Sequence, residues 1–208
     1  MSDVATRKLG RPPATTRKQI ARVALQLFVK RGFEETTMDD IAVELGLGRR
    51  TLFRYYPSKN DLVWGEFEEV LARLRTDLRA IDQNRPVMAV IREAAVRSNT
   101  YPEELLDELY LRLKLIQTVP ALQAHSMIRY AEWRQVVAEY VAARIDCRAD
   151  ELVPVVAGHA ALAASTAAFS RWVAHPDEDV LELIDRSYGL LSNGFPIDAG
   201  APATRHRR

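Results

Sequence analysis

The stretch 33-FEETTMDDIAVELGLGRRTLFRYYPSKNDL-62 decides the fold. It reads as two short helices joined by a glycine-bracketed turn, with a third opened by Pro57-Ser58. Thr36-Thr37 supplies a start signal, and Asp39 and Asp40 fall in the first turn, where carboxylates suit the helix dipole. Met38, Ile41, Ala42 and Leu45 give the first helix a buried stripe, and Gly46-Leu47-Gly48 makes the turn around Leu47. On the second helix the expected inner face is Leu52, Phe53 and Tyr56, leaving Arg49, Arg50, Thr51 and Tyr55 outward. A helix of about two turns does not hold itself together in water, so packing must position it.

Upstream, Thr16-Arg17-Lys18-Gln19 has the form of a capping box, and Ile20, Ala24, Leu27 and Phe28 recur at helical spacing until Gly32. Three helices around one core, the last two in helix-turn-helix order, follow. Such a head presents arginines and a threonine to base edges, while helix starts at Thr37 and Ser58-Lys59 offer N–H groups to phosphates. The basic run 49-RRTLFRYY-56, taken alone, equally describes a solvated amphipathic helix. Residues 7–18 carry five positive charges and no acid around Gly-Arg-Pro-Pro, so Arg7, Lys8 and Arg11 suit either a minor-groove arm or a disordered tail. Charge separates the two ends. Residues 1–60 hold 12 Lys+Arg against 6 Asp+Glu, and residues 61–208 hold 17 against 22, which points to a polyanion partner at one end only.

These residues resemble the DNA-binding domain of TetR-type bacterial regulators, whose pattern T-x-x-x-I-A, turn, T-L-Y-x-[YH]-F-x-S-K-x-x-L stands here as Thr37 to Ala42 and Thr51 to Leu62. Two departures matter. Gly48 replaces a common serine cap, and Arg50 stands where a small residue is common, which suggests readout of an extra guanine. The resemblance implies a homodimer on double-stranded operator DNA, with Arg49, Arg50 and Thr51 on bases and Tyr55, Lys59 and Thr37 on phosphates. Within the family, the chain is most similar to the branch tied to the mycofactocin system.

The expected fold class is all-α: an arm (1–14), a three-helix DNA-binding domain (15–60), a helical effector and dimerisation domain (61–193) and a tail (194–208) with a basic tip. A long helix is expected from Ser58 to Ile81, and displacement of it by an effector would move the heads. Further helices are expected at about 86–98, 103–117, 120–145, 151–174 and 178–192, each bounded by a break such as Pro86, Pro102, Pro120 or Pro176. The 151–174 segment is apolar or tiny all round, which demands burial on several sides. Leu152, Val156, Ala160, Ala163 and Ala167, with Leu181, Ile184 and Tyr188 of the last helix, are the expected dimer contact; a central core helix would show the same pattern.

Tyr110, Leu113, Met127, Tyr130, Trp133, Val137 and Trp172 either line an effector pocket or simply pack a core. The family resemblance implies a small hydrophobic effector there, and the narrower one implies a long-chain acyl-CoA, whose phosphates Arg112, Lys114, Arg129, Arg134 or Arg171 would meet. A single cysteine, Cys147, excludes an internal disulfide. The polar, basic first twenty residues do not read as a signal peptide, and interruptions at Gly158-His159 and Ser170-Arg171 argue against a membrane span, so a cytoplasmic location is expected. Catalytic, metal and cofactor motifs are not found, although an enzyme acting on acyl thioesters through Cys147, or a DNA-binding protein without effector, remain alternative readings.

Overall fold

The structure, a computed structural model, describes residues 16–195, and every regular element among them is helical. Two compact units meet between Glu66 and Phe67, six residues beyond the boundary expected from sequence.

In the first unit, α1 (Arg17–Arg31) starts where the Thr16 hydroxyl accepts from the Gln19 amide and stops at Gly32. Ile20, Ala24, Leu25 and Phe28 form its buried side, joined by Phe33, whose ring centroid lies 5.0 Å from that of Phe28. Thr36, fully buried, donates to the Gly32 carbonyl at 2.7 Å and so closes the corner. Two short helices follow, α2 (Met38–Glu44) and α3 (Arg49–Tyr55), and then α4 (Lys59–Trp64), which packs on α1.

The expected single helix from Ser58 to Ile81 is two helices. Gly65 sits at φ 59°, ψ −125°, a conformation open to glycine alone, and ends α4. The second unit then begins with α5 (Phe67–Ala80), an amphipathic helix burying Leu71, Leu74 and Leu78. Its other helices are α6 (Val87–Ser98), α7 (Leu106–Thr118, after a short 3₁₀ turn at Glu103–Leu105), α8 (Pro120–Ile145), α9 (Leu152–Ala174) and α10 (Val180–Ser192). Their core gathers Ile91, Trp133, Val137, Ala161, Ala168, Trp172, Ile184 and Tyr188. α8 against α9 is the most extensive helix pair. There, Gly158 lets the two backbones meet: a Cβ on it would lie 2.7 Å from the Arg134 carbonyl oxygen.

By length and composition α9 could cross a membrane. Pro154, Gly158, Ala161, Ala164, Ser165, Ala168 and Trp172 nevertheless turn into the domain. Its opposite face is left uncovered by the described residues: Leu152 is 77% exposed and Val156 54%, and Ala163 and Ala167 continue the stripe.

Candidate nucleic-acid interface

Main-chain hydrogen bonds build the turn between α2 and α3. Gly46, at φ 63°, donates to the Val43 carbonyl, and Leu47 donates to that of Ala42 at 2.9 Å, the paired bonds of a glycine-closed helix end. Gly48 caps α3 without a side chain, its carbonyl accepting from Thr51 at 2.8 Å and Leu52 at 3.1 Å. Leu52 is fully buried, and so is Tyr56, whose hydroxyl donates to the Arg17 carbonyl at 3.1 Å beneath the Arg17 guanidinium. These two anchors, one turn apart, fix the rotation of the helix about its axis.

That rotation turns Phe53 outward, 37% exposed, against the expectation that it lies inside. One step of about 100° from Leu52 carries it to the edge of the outer face. Arg49, one turn earlier, lies over its ring at 5.5 Å and is held by Asp39 of α2 at 3.0 Å. Arg50 is exposed and makes no hydrogen bond or ion pair among the described residues. Thr51 and Tyr55 are half-buried beside it, with Arg54 over the Tyr55 ring at 5.8 Å. Guanidinium groups, a hydroxyl and an exposed ring thus share one short outer face.

Two expected phosphate contacts are otherwise engaged. The Thr37 amide donates to Asp40 at 2.8 Å, and its hydroxyl both donates to that carboxylate at 2.5 Å and accepts from the Asp40 amide. This reciprocal box places the protein's own anion at the start of α2, and the Thr37 hydrogen bonds hold the Asp40 carboxyl below its ordinary range. The Lys59 ammonium folds back over the Phe33 ring at 4.3 Å and donates to the Phe33 carbonyl at 2.7 Å, so it clamps the corner after α1. Arg7, Lys8 and Arg11 lie outside the described residues.

In the second unit, Trp133, Val137 and Trp172 are buried, Tyr110 meets Trp172 edge-on at 5.7 Å, and Leu113 packs against the same cluster. Tyr130 is half-buried. Met127 is 63% exposed and leaves the set, because α8 turns Ser126 inward at that level. Of the cations considered for an effector's phosphates, Arg112 pairs with Glu108, Arg129 with Glu132 and Arg171 with Glu178. Ile184 and Tyr188 are wholly inside their own domain, the Tyr188 hydroxyl 2.9 Å from that of Ser165, so neither presents itself to a partner. On α10 the exposed positions are Glu182, Arg186, Leu190 and Ser192, with Leu181 half-covered.

Residues 20–63 match the family model described as bacterial regulatory proteins, tetR family, and residues 85–196 match that of the MftR C-terminal domain. A Mycobacterium tuberculosis protein assigned to the regulation of mycofactocin biosynthesis, MftR, is 34% identical over 90% of this chain and 95% of its own length. The chain belongs to the TetR family. Solved structures agree in fold: Thermus thermophilus FadR, a TetR-family transcriptional repressor in complex with lauroyl-CoA, is 26% identical with a TM-score of 0.58 over 90% of this chain and 99% of that one. FadR of Bacillus halodurans shares the fold at 18% identity, TM-score 0.59, over 90% and 100% of the two chains.

As a TetR-family member the protein is a DNA-binding transcriptional regulator and not an enzyme. Cys147 agrees with that assignment. Desolvation, helped by Glu151 and Asp146, pushes its thiol up in pKa, and Arg148, which could have activated it, is forked onto Asp150. The turn and helix α3 were legible from their TetR pattern. The internal use of Lys59 was not, because no periodicity encodes the distance to the Phe33 carbonyl.

Proposed function

We propose that this TetR-family regulator is a homodimeric repressor of mycofactocin biosynthesis genes, released from a palindromic operator by a long-chain acyl-CoA. The observation that carries the reading is the alignment with MftR, which runs through DNA-reading head and C-terminal body alike. Arg49, Arg50 and Thr51 read base edges in the major groove, Arg50 foremost because its guanidinium has no partner among the described residues. Tyr55 touches the backbone with a hydroxyl that makes no hydrogen bond among the described residues, and Arg7, Lys8 and Arg11 reach the minor groove.

Dimerisation uses the bare α9 stripe of Leu152, Val156, Ala160, Ala163 and Ala167, with Leu181 and Leu190 of α10 beside it. Small residues there allow close helix approach. Two heads on a two-fold axis then address half-sites about one turn, ~34–36 Å, apart.

The bound lauroyl-CoA of the Thermus regulator supports the effector class. An acyl tail would enter between α7 and the Trp133–Trp172 cluster. α7 is the natural wall to move, since Ile116 is its one fully buried side chain. The protein works where its operator is, in the cytoplasm.

The test is a promoter fragment upstream of mycofactocin genes, titrated with purified protein with and without lauroyl-CoA, alongside sedimentation equilibrium. Retention of the fragment by a dimer and its release by the thioester is the expected result. A monomer, or no preference for the fragment over scrambled DNA, overturns the reading. Retention that lauroyl-CoA leaves untouched removes the effector assignment alone.

A further inference from the structure

A cleft of about 350 Å³ opens between α5 and α8, lined by Arg75, Leu78, Arg79, Gln83, Val136, Glu139, Tyr140, Ala143 and Arg144. Tyr110, Leu113, Trp133, Val137 and Trp172 are not among its lining residues, although Leu78, Val136 and Tyr140 join it to the same hydrophobic core. Three guanidinium groups face it against a single carboxylate, and Glu139 is engaged with the side chain of Gln135, its neighbour on α8.

The three arginines share one cleft, and none has a carboxylate partner among the described residues. Arg144 is held in place by three oxygens, all uncharged: the Gln83 amide at 3.1 Å, the Tyr140 hydroxyl at 2.8 Å and the Arg85 carbonyl at 3.2 Å. Tyr140 itself donates to Gln83, which closes the network. The group is therefore oriented while its charge stays uncompensated. Arg75 and Arg79 sit one turn apart on α5, where like charges repel, and neither makes a hydrogen bond or ion pair among the described residues. Asp82, within reach of Arg79 along the chain, accepts from Asn84 instead. Other arginines of this domain are matched by carboxylates, Arg85 and Arg97 with Glu93, Arg92 with Asp185, Arg112 with Glu108 and Arg171 with Glu178, whereas Arg73, Arg134 and Arg186 form no ion pair among the described residues but stand apart from one another rather than around one cleft.

Planar guanidinium groups clustered without carboxylates are the protein's means of gripping phosphate oxygens, each capable of a paired hydrogen bond. The floor of the cleft, Leu78, Val136 and Ala143, is apolar and suits an organic group attached to the phosphates. The volume lies at the lower end of small-molecule sites, enough for a diphosphate with part of its organic moiety. We infer that the α5–α8 cleft is a binding site for a small organic diphosphate, with Arg75, Arg79 and Arg144 as its phosphate ligands. Two sources share that chemistry, a free nucleoside diphosphate and the nucleotide end of a CoA thioester. The inference does not depend on the acyl-CoA reading above, because the arginine cluster stands without it.

Calorimetric titration of the full chain with ADP, CoA and inorganic pyrophosphate at low ionic strength tests it. ADP or CoA is expected to bind, and Arg75→Ala/Arg79→Ala to weaken that binding by about tenfold or more, as loss of charge-assisted contacts demands. Neither side chain has a hydrogen-bond or ion-pair partner among the described residues, so the double variant should melt like the wild type without ligand. Arg49→Ala/Arg50→Ala, in the DNA-reading head, should leave the titration unchanged. Binding of ADP and CoA alike identifies the nucleotide diphosphate as the recognised unit, and binding of CoA alone identifies the thioester's nucleotide end; either supports the site. Absence of binding by all three probes overturns the inference, as does a loss that follows Arg49/Arg50 rather than Arg75/Arg79.

Discussion

Replacing Gly158 by alanine sets two effects against each other at the α8–α9 crossing. Alanine is the better helix former by about 0.8–1.0 kcal/mol, and in open space the change would stabilise α9. Here the new methyl would sit 2.7 Å from the Arg134 carbonyl oxygen and 3.4 Å and 3.5 Å from its carbonyl and α carbons. All three are main-chain atoms of a 26-residue helix, so no rotamer change relieves the clash. α8 must retreat by about half an ångström, and overpacking of that kind costs about 1–3 kcal/mol. The clash outweighs the propensity. We expect a net loss of up to about 2 kcal/mol, a fall in Tm of up to roughly 8 °C for a chain of this size. Gly189→Ala is the control. Its methyl would meet only the flexible Arg92 side chain, at 3.5 Å, so propensity should prevail and stability hold or rise. Thermal unfolding followed by circular dichroism at one fixed protein concentration compares the two. A Gly158→Ala protein more stable than wild type, with the gain that helix propensity alone gives, would refute the tight crossing.

Arg50→Ala should cost about 1–3 kcal/mol on the operator and little on random DNA, read by competition binding; equal losses on both would refute a base-reading role. Lys59→Ala should lower Tm by removing the clamp on Phe33, while the salt dependence of DNA binding keeps its slope; a slope smaller by about one would return Lys59 to the phosphates. The Arg92 hydrogen bond, aided by its charge, holds the Asp185 carboxyl below its ordinary 3.8. A depressed folded-state pKa contributes stability above the unfolded value that is lost as pH falls through the folded one. Asp185→Asn should therefore flatten the acid limb of a Tm–pH profile, and an unchanged limb would mean the pair contributes nothing there.

Punctuation made the helix boundaries legible. Pro86, Pro120, Gly32 and the capped starts at Thr16, Thr37 and Ser58 all fall where the chain turns. Gly65 was missed because a lone glycine inside an amphipathic run leaves hydropathy intact, and only its dihedral angles reveal the stop. Ile184 and Tyr188 were assigned to the dimer contact because the α10 apolar positions were read as belonging to a partner. A helix with one apolar stripe uses it once, and here its own core takes it. Met127 and Phe53 erred by phase, a single step of rotation that spacing alone does not resolve. The α5–α8 cleft left no sequence signal, since Arg75, Arg79 and Arg144 come together only after two helices pack.

The neighbouring arginines at the head of α3 differ in one respect, that Arg49 has an acidic companion on α2 and Arg50 has none among the described residues. A descendant protein acquiring a new binding sequence could therefore exchange residue 50 freely, with nothing else left bereft. Change at position 49 strands Asp39, an anion beside a polyanion, until a second substitution removes it. Among diverging copies of this gene, variation should accumulate singly at 50 and arrive in pairs at 39 and 49.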